Sequence, residues 1–116
     1  MLLSVNRHNF REEVLESSQL VFVNFWVNWS EECKQMKMLM KKLDSELEQG
    51  CKIVEVDWEK DHKLAEKYRV FGTPSLLVFS DGELVGQYSG TLNVNEFFEE
   101  TNAWLSTNSK QEMMEN

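Results

Sequence analysis

The segment that decides the fold of this chain is Phe25-Trp26-Val27-Asn28-Trp29-Ser30-Glu31-Glu32-Cys33-Lys34. It overlaps the end of an apolar, β-prone run from Leu20 to Val27, which only one polar residue interrupts. Such a run is typical of a central strand buried on both faces. After it, apolar residues recur every three or four positions from Cys33 to Leu47, which predicts a helix that ends at Gly50. The segment is therefore expected to join a buried strand to a long helix.

Three further helices are predicted. A short one covers Phe10 to Glu16, with Asn9 as its N-cap, and a second runs from the capping residue Asp61 through Tyr68. A final helix begins at Asn93, where Glu96 follows three residues later as a capping-box partner.

Four more strands complete the pattern. Leu3 to Val5 and Ile53 to Val56 are short β-prone runs, and Ser75 to Phe79 pairs with Leu84 to Tyr88 across the turn residues Asp81-Gly82. The predicted order is β-α-β-α-β-α-β-β-α, an α/β architecture.

Length and charge limit what the protein can be. A chain of 116 residues fits one domain, which we expect to cover residues 1–105 and to be followed by a polar, disordered tail, 106–116. Twenty acidic against twelve basic residues give a net charge of −8, which opposes binding to nucleic acid or to an anionic membrane surface. No apolar stretch approaches the roughly 20 residues of a membrane span, and the start lacks the pattern of a signal peptide. A cytoplasmic location is expected.

The cysteines and histidines do not predict a metal or cofactor site. Cys33 and Cys51 are too few for a secreted disulfide framework, and neither His8 nor His62 lies at a ligand spacing from them. We therefore predict no metal and no cofactor.

The element order, the Phe25–Lys34 segment and Gly72-Thr73-Pro74-Ser75 before the hairpin together resemble the thioredoxin family over roughly residues 3 to 105. The resemblance implies the thioredoxin fold, a central mixed β-sheet flanked by helices. It also implies that Pro74, the chain's only proline, follows a cis peptide bond and faces the active site. By the same resemblance, the residues that line the substrate groove are Trp29, Trp58, Gly72, Thr73, Pro74, Ser89 and Gly90. Trp58 could instead pack against the Asp61 helix.

The resemblance places Ser30 where the family has the nucleophilic cysteine of Cys-x-x-Cys, and Cys33 at the position of the resolving cysteine. A dithiol cycle needs one thiolate to attack and a second thiol to resolve the mixed disulfide, and a hydroxyl can do neither. The alternatives without redox chemistry are that Ser30 is a helix-start residue and that Cys33 is a small apolar residue of the core.

Two other positions depart from the family pattern in the same direction. Asn24 stands where the family has a buried acid that assists proton transfer to the resolving thiol, and an amide cannot act as that base. Glu55 stands where a lysine that pairs with the acid is common. Together with Ser30, these residues suggest that dithiol chemistry is no longer supported.

The leading hypothesis is a redox-impaired, thioredoxin-like module that binds protein or peptide partners, including thiol-containing ones, beside Pro74. The alternative is a thiol-disulfide oxidoreductase, either monothiol through Cys33 or a dithiol enzyme whose first cysteine was replaced by Ser30. A purely structural subunit is a third hypothesis.

Overall fold

The computed structural model describes residues 3–46, 50–89 and 96. Its elements in chain order are strand β1 (Leu3–Ser4), a π-helical turn (Arg11–Leu15), strand β2 (Leu20–Trp26), helix α1 (Glu31–Glu46), strand β3 (Cys51–Asp57), helix α2 (His62–Lys67), strand β4 (Ser75–Ser80) and strand β5 (Glu83–Ser89). This order confirms the predicted one as far as the hairpin. Of the final helix predicted from Asn93, only Glu96 is described, with a helical backbone. Gly90 and the predicted tail, 106–116, lie outside the described residues.

The five strands form one mixed sheet in the order β1-β3-β2-β4-β5. β1, β3 and β2 run parallel, whereas β4 is antiparallel to β2 and β5 is antiparallel to β4. In this register Asn24 lies between Glu55 and Leu76, and Phe25 lies beside Ser75. The end of β2 and the start of β4 therefore meet at one end of the sheet.

Each face of the sheet is covered by its own apolar layer, because neighbouring residues of a strand point to opposite faces. Val23 and Phe25 pack with the Arg11–Leu15 turn and α2. Phe22 packs on the other face with Met36 and Met40 of α1. We call these the α2 face and the α1 face. All of β2 from Leu20 to Phe25 is buried, which confirms the expected central strand.

The two helices differ in length, with 16 residues in α1 and six in α2. The predicted end of the long helix at Gly50 is consistent with a left-handed backbone there, at φ 81°. No helix in the described ranges is long and apolar enough to cross a lipid bilayer.

Of two predicted helix caps, Asn9 was wrong and Asp61 was correct in position, but neither side chain bonds to its own helix. The Oδ1 atom of Asn9 accepts a hydrogen bond from the backbone N–H of Asn6 at 2.8 Å, and the helical turn begins beyond it. Asp61 does occupy the N-cap position of α2, but its Oδ1 atom accepts from the backbone N–H of Arg7 at 3.2 Å rather than from α2. The Arg7 guanidinium lies 3.8 Å from the same oxygen.

Candidate functional site

Ser30 lies directly before α1, and its side chain caps that helix. Its Oγ accepts a hydrogen bond from the backbone N–H of Cys33 at 3.3 Å, and its carbonyl accepts from the N–H of Lys34 at 3.2 Å. A side-chain oxygen bonded to the amide three residues later is the geometry of an N-cap. The hydroxyl of Ser30 is therefore used to hold the start of α1.

Cys33 is on the first turn of α1 and faces the sheet. It is free, and only 3% of its surface is exposed. A thiol so placed is shielded from large reagents and packs as a small apolar side chain.

Cys51 is the other cysteine and lies at the far end of the sheet. It pairs with Leu20 at the start of β2, whereas Cys33 follows the end of β2. The two cysteines are therefore separated by the length of the seven-residue strand β2, about 20 Å. Cys51 is half-buried and free, and burial raises the pKa of its thiol. At this separation the two cysteines cannot form a disulfide within the chain.

Asn24 and Glu55 lie next to each other on the α1 face of the sheet. They are register partners on β2 and β3, and both are buried, Asn24 completely. Among the residues that the structure describes, none is a hydrogen-bond partner of Oδ1 or Nδ2 of Asn24. A neutral amide therefore lies buried near the end of β2, at the position where the resemblance implied a carboxylic acid.

The Pro74 segment precedes β4. The Thr73–Pro74 peptide bond is cis, as the resemblance implied, and Pro74 is buried. Ser75 Oγ donates a hydrogen bond to the carbonyl of Gly72 at 2.7 Å and closes the turn around the proline. Gly72 is exposed and Thr73 is half-buried. The backbone just before Pro74 is therefore the accessible part of the segment.

Trp29, in the loop between β2 and α1, exposes 71% of its surface. Its Nε1 atom donates a 2.7 Å hydrogen bond to Oε1 of Glu59, which fixes one edge of the ring. An exposed, oriented indole of this kind is suited to contact a partner.

Trp58, directly after β3, is held from the α2 side. Its Nε1 atom donates to the carbonyl of Val70 at 3.0 Å, and its ring meets the His62 ring edge-on with centroids 4.9 Å apart. The side chain is half-buried against the apolar layer of the α2 face. These contacts are the packing against the Asp61 helix that the sequence left open, and they connect Trp58 to the segment that leads to Pro74.

An open cavity of about 330 Å³ lies beside the Pro74 segment. Three predicted groove residues, Gly72, Thr73 and Ser89, line it. The remaining lining residues are Arg69, Phe71, Ser75 and Gln87, which the sequence analysis did not select.

The structure thus brings together part of the predicted site. Ser30 and Cys33 lie at the start of α1, Ser30 just before it and Cys33 in its first turn. Gly72, Thr73 and Ser89 line the same cavity. Trp29 is exposed in the loop before α1. Trp29, Trp58 and Pro74 do not line the cavity, and Gly90 is not described. Two missed residues carried a signal, because Arg69 and Phe71 lie within three positions before Gly72 in the sequence. Gln87 carried none, because only the β4–β5 register brings it there.

Comparison with known proteins agrees with this architecture. The family model described as Thioredoxin matches residues 1–103. Thioredoxin C-2 of Corynebacterium nephridii is 35% identical over 89 residues, which cover 77% of this chain and 82% of that protein. A thioredoxin of Buchnera aphidicola subsp. Baizongia pistaciae is 31% identical over 96 residues, or 83% of this chain and 88% of that protein. A thioredoxin of Bacillus subtilis is 38% identical over 69 residues, 60% of this chain and 66% of that protein. With a family model that spans nearly its whole length and with relatives above 30% identity, the chain belongs to the thioredoxin family.

Proposed function

We propose that this protein binds an extended segment of a partner protein beside Pro74 and does not run a dithiol redox cycle. One observation carries the proposal. At the start of α1, where a second thiol would have to lie next to Cys33, a serine hydroxyl caps the helix. A hydroxyl cannot form or break a disulfide, so Cys33 has no resolving or attacking partner there. The location we propose is cytoplasmic, because two cysteines are too few for the disulfide framework of a small secreted protein.

Binding is supported by what remains accessible around Pro74. Gly72 is exposed, and the ring of Trp29 is exposed and held by Glu59. Accessible backbone next to a rigid aromatic side chain is the combination by which proteins hold extended peptides. Phe71, 77% exposed, adds a second apolar contact on the cavity side.

An insulin-type disulfide reduction assay tests the redox half of the proposal. We expect no turnover by the chain, and weak turnover at best by Ser30→Cys, because Asn24 cannot take a proton from Cys33. The matched control is Ser45→Cys, which adds a thiol to the exposed far end of the same helix. Vigorous turnover by Ser30→Cys alone would favour the alternative, a thioredoxin-type oxidoreductase whose first cysteine was replaced. Turnover by the unaltered chain that Cys33→Ala abolishes would favour a monothiol enzyme.

Peptide affinity tests the binding half. Peptides selected from a random library should bind the chain, and Trp29→Ala should weaken them about tenfold or more, as expected of a central aromatic contact. Met38→Ala is the matched control, because Met38 is equally exposed, at 72%, but lies further along α1. If Trp29→Ala left peptide affinity unchanged and instead altered the oligomeric state, the chain would be a structural subunit.

A further inference from the structure

We propose that the bound segment carries a carboxylate and that Arg69 binds it in the cavity beside the Pro74 segment. The inference rests on the proposed function and specifies its partner: an extended peptide with a carboxylate next to an apolar side chain. The apolar side chain would pack on Phe71. Three features of the cavity, as far as the structure describes it, support this assignment. Arg69 has no ion pair, its backbone conformation is unfavourable for an arginine, and the lining has no acidic side chain.

Arg69 is the one arginine that has no carboxylate partner among the described residues. The chain has three arginines. Arg7 lies 3.8 Å from Asp61, and Arg11 lies 3.8 Å from Glu16. Arg69 is exposed and has no ion pair in the part of the chain that the structure describes, although the protein carries eight more acidic than basic residues. A guanidinium is well shaped to receive a carboxylate through two parallel hydrogen bonds.

The backbone of Arg69 is left-handed, with φ 57°. This region is unfavourable for residues with a Cβ atom and favours glycine, so arginine is a costly residue at this position. Its backbone N–H is used, donating to the carbonyl of Glu66 at the end of α2, but nothing in that contact requires the guanidinium. The turn therefore does not explain an arginine at this position, whereas a function of the Arg69 side chain would.

The cavity is placed and lined for an anionic group. Leu77 of the α2-face apolar layer pairs with Gln87, and Ser75 lies two residues before Leu77 on β4, so Ser75 and Gln87 are on the α2 face. Thr73, Ser89 and Gln87 offer side-chain hydrogen-bond donors beside Arg69, and none of the described lining residues is acidic. Phe71 exposes its ring at the same place.

The other side of Pro74 has the opposite charge. Glu31 and Glu32 are exposed at the start of α1, and Glu59 is exposed beside Trp29. Lys34 lies 3.7 Å from Glu31, so these three acidic side chains outnumber the one base that pairs with them. A carboxylate would therefore be disfavoured there relative to the position beside Arg69. The bound segment is therefore expected to place its anionic residue over the α2 face, which fixes its direction across Pro74.

A peptide selection without charge bias tests this inference. Random peptides displayed on phage are selected against the full chain, and the recovered sequences are synthesised with a fluorescent label and measured by anisotropy. We expect aspartate or glutamate to be enriched next to an apolar residue. Replacing that acidic residue by its amide should weaken binding about tenfold, and raising the salt concentration should weaken the acidic peptide more than the amide.

Variants of Arg69 separate its charge from its effect on the fold. Arg69→Gln should weaken the acidic peptide about tenfold, whereas Arg11→Gln, which changes the net charge equally, should change affinity less than about twofold. Arg69→Gly relieves the left-handed backbone and should fold at least as stably as the parent while losing the same affinity. Peptides with a free and with an amidated C-terminus distinguish a side-chain carboxylate from a terminal one.

Two results would overturn the inference, and they differ in what they say about the proposed function. Peptides without acidic enrichment that bind equally to Arg69→Gln but lose affinity with Trp29→Ala would reject the carboxylate and keep the groove. Recovery of no binding peptide would reject both.

Discussion

Asn24 is a single side chain whose surroundings do not match its chemistry. It is fully buried in the central strand, and both polar atoms of its amide are without hydrogen-bond partners in the described part of the chain. A buried polar group in that state costs about 1–3 kcal/mol relative to one that is hydrogen-bonded. The sequence predicted only that Asn24 cannot act as the base that the family has at this position. Whether its amide finds a hydrogen-bond partner depends on how α1 packs over the sheet, which the sequence does not show.

Replacing this amide by an apolar side chain of the same branched shape should stabilise the fold. We expect Asn24→Leu to raise the free energy of unfolding by about 1 kcal/mol, measured by urea denaturation, because it removes the unpartnered polar atoms and keeps the branching and the number of heavy atoms of the side chain. Asn28→Leu, at an exposed loop position, is the control and should give no gain. A clear loss of stability in Asn24→Leu would show that the amide has a polar role in the folded protein.

The two thiols should differ in reactivity. Cys51 is half-buried, and because burial raises its pKa, less thiolate is present at a given pH and alkylation should become fast only at higher pH than for a free cysteine peptide. Cys33, 3% exposed, should react only as the protein unfolds. Iodoacetamide labelling of Cys33→Ala and Cys51→Ala across a pH series measures each thiol alone. A folded Cys51→Ala variant that reacted as fast as the peptide would contradict the buried position of Cys33.

Helix α1 shows how one element fixes the chemistry of the site. Its start is capped by Ser30, so the residue at the nucleophile position supports the helix. Ser30→Ala should lower the free energy of unfolding by about 1 kcal/mol, the usual cost of losing a cap. Ser45→Ala is the control, because the Ser45 hydroxyl donates back to the carbonyl of Lys42 in an exposed part of α1 and caps nothing. Equal losses in the two variants would argue against the cap.

The β4–β5 hairpin depends on a close approach of another element. Gly82 has φ 81°, and a Cβ atom there would lie 2.6 Å from the carbonyl oxygen of Leu15. Gly50 has the same φ with open space around it. Gly50→Ala should therefore lower the free energy of unfolding by about 1 kcal/mol, the cost of placing a Cβ atom on a left-handed backbone. Gly82→Ala should lower it by at least about 1 kcal/mol more, because the backbone atoms of the turn and of Leu15 must also move apart. Thermal unfolding of both variants compares them, and a similar loss in each would contradict the close approach.

Sequence predicted elements well where the determinants are local. The buried strand β2 and the Asp81-Gly82 turn follow from apolar runs and turn residues, and the structure has both. Asn9 was wrong as a cap, and Asp61 occupies its predicted N-cap position without a side-chain bond to α2, because the two side-chain oxygens accept from the amides of Asn6 and Arg7. Part of the site was missed for the same reason: Gln87 joins the cavity only through the pairing of β5 with β4.

At the scale of the whole molecule, the sheet separates the groups that a redox cycle would need. Cys33 lies in the first turn of α1, just beyond the end of β2, and Cys51 pairs with Leu20 at the start of β2. The exposed groups around Pro74 are on both sides of that residue: acidic side chains near α1, and Arg69 and Phe71 next to the cavity. This distribution is the one expected if the protein binds a polypeptide, as proposed, without exchanging electrons with it.

Intact mass measurement in glutathione buffers, from strongly reducing to strongly oxidising, tests the central claim most directly. The account predicts that each cysteine stays free or carries a glutathione, and that no species in which Cys33 and Cys51 are joined is formed, because a disulfide needs Cα atoms within about 7 Å. A reversible loss of two hydrogens from the folded, unaltered chain would show an internal disulfide and would contradict the account.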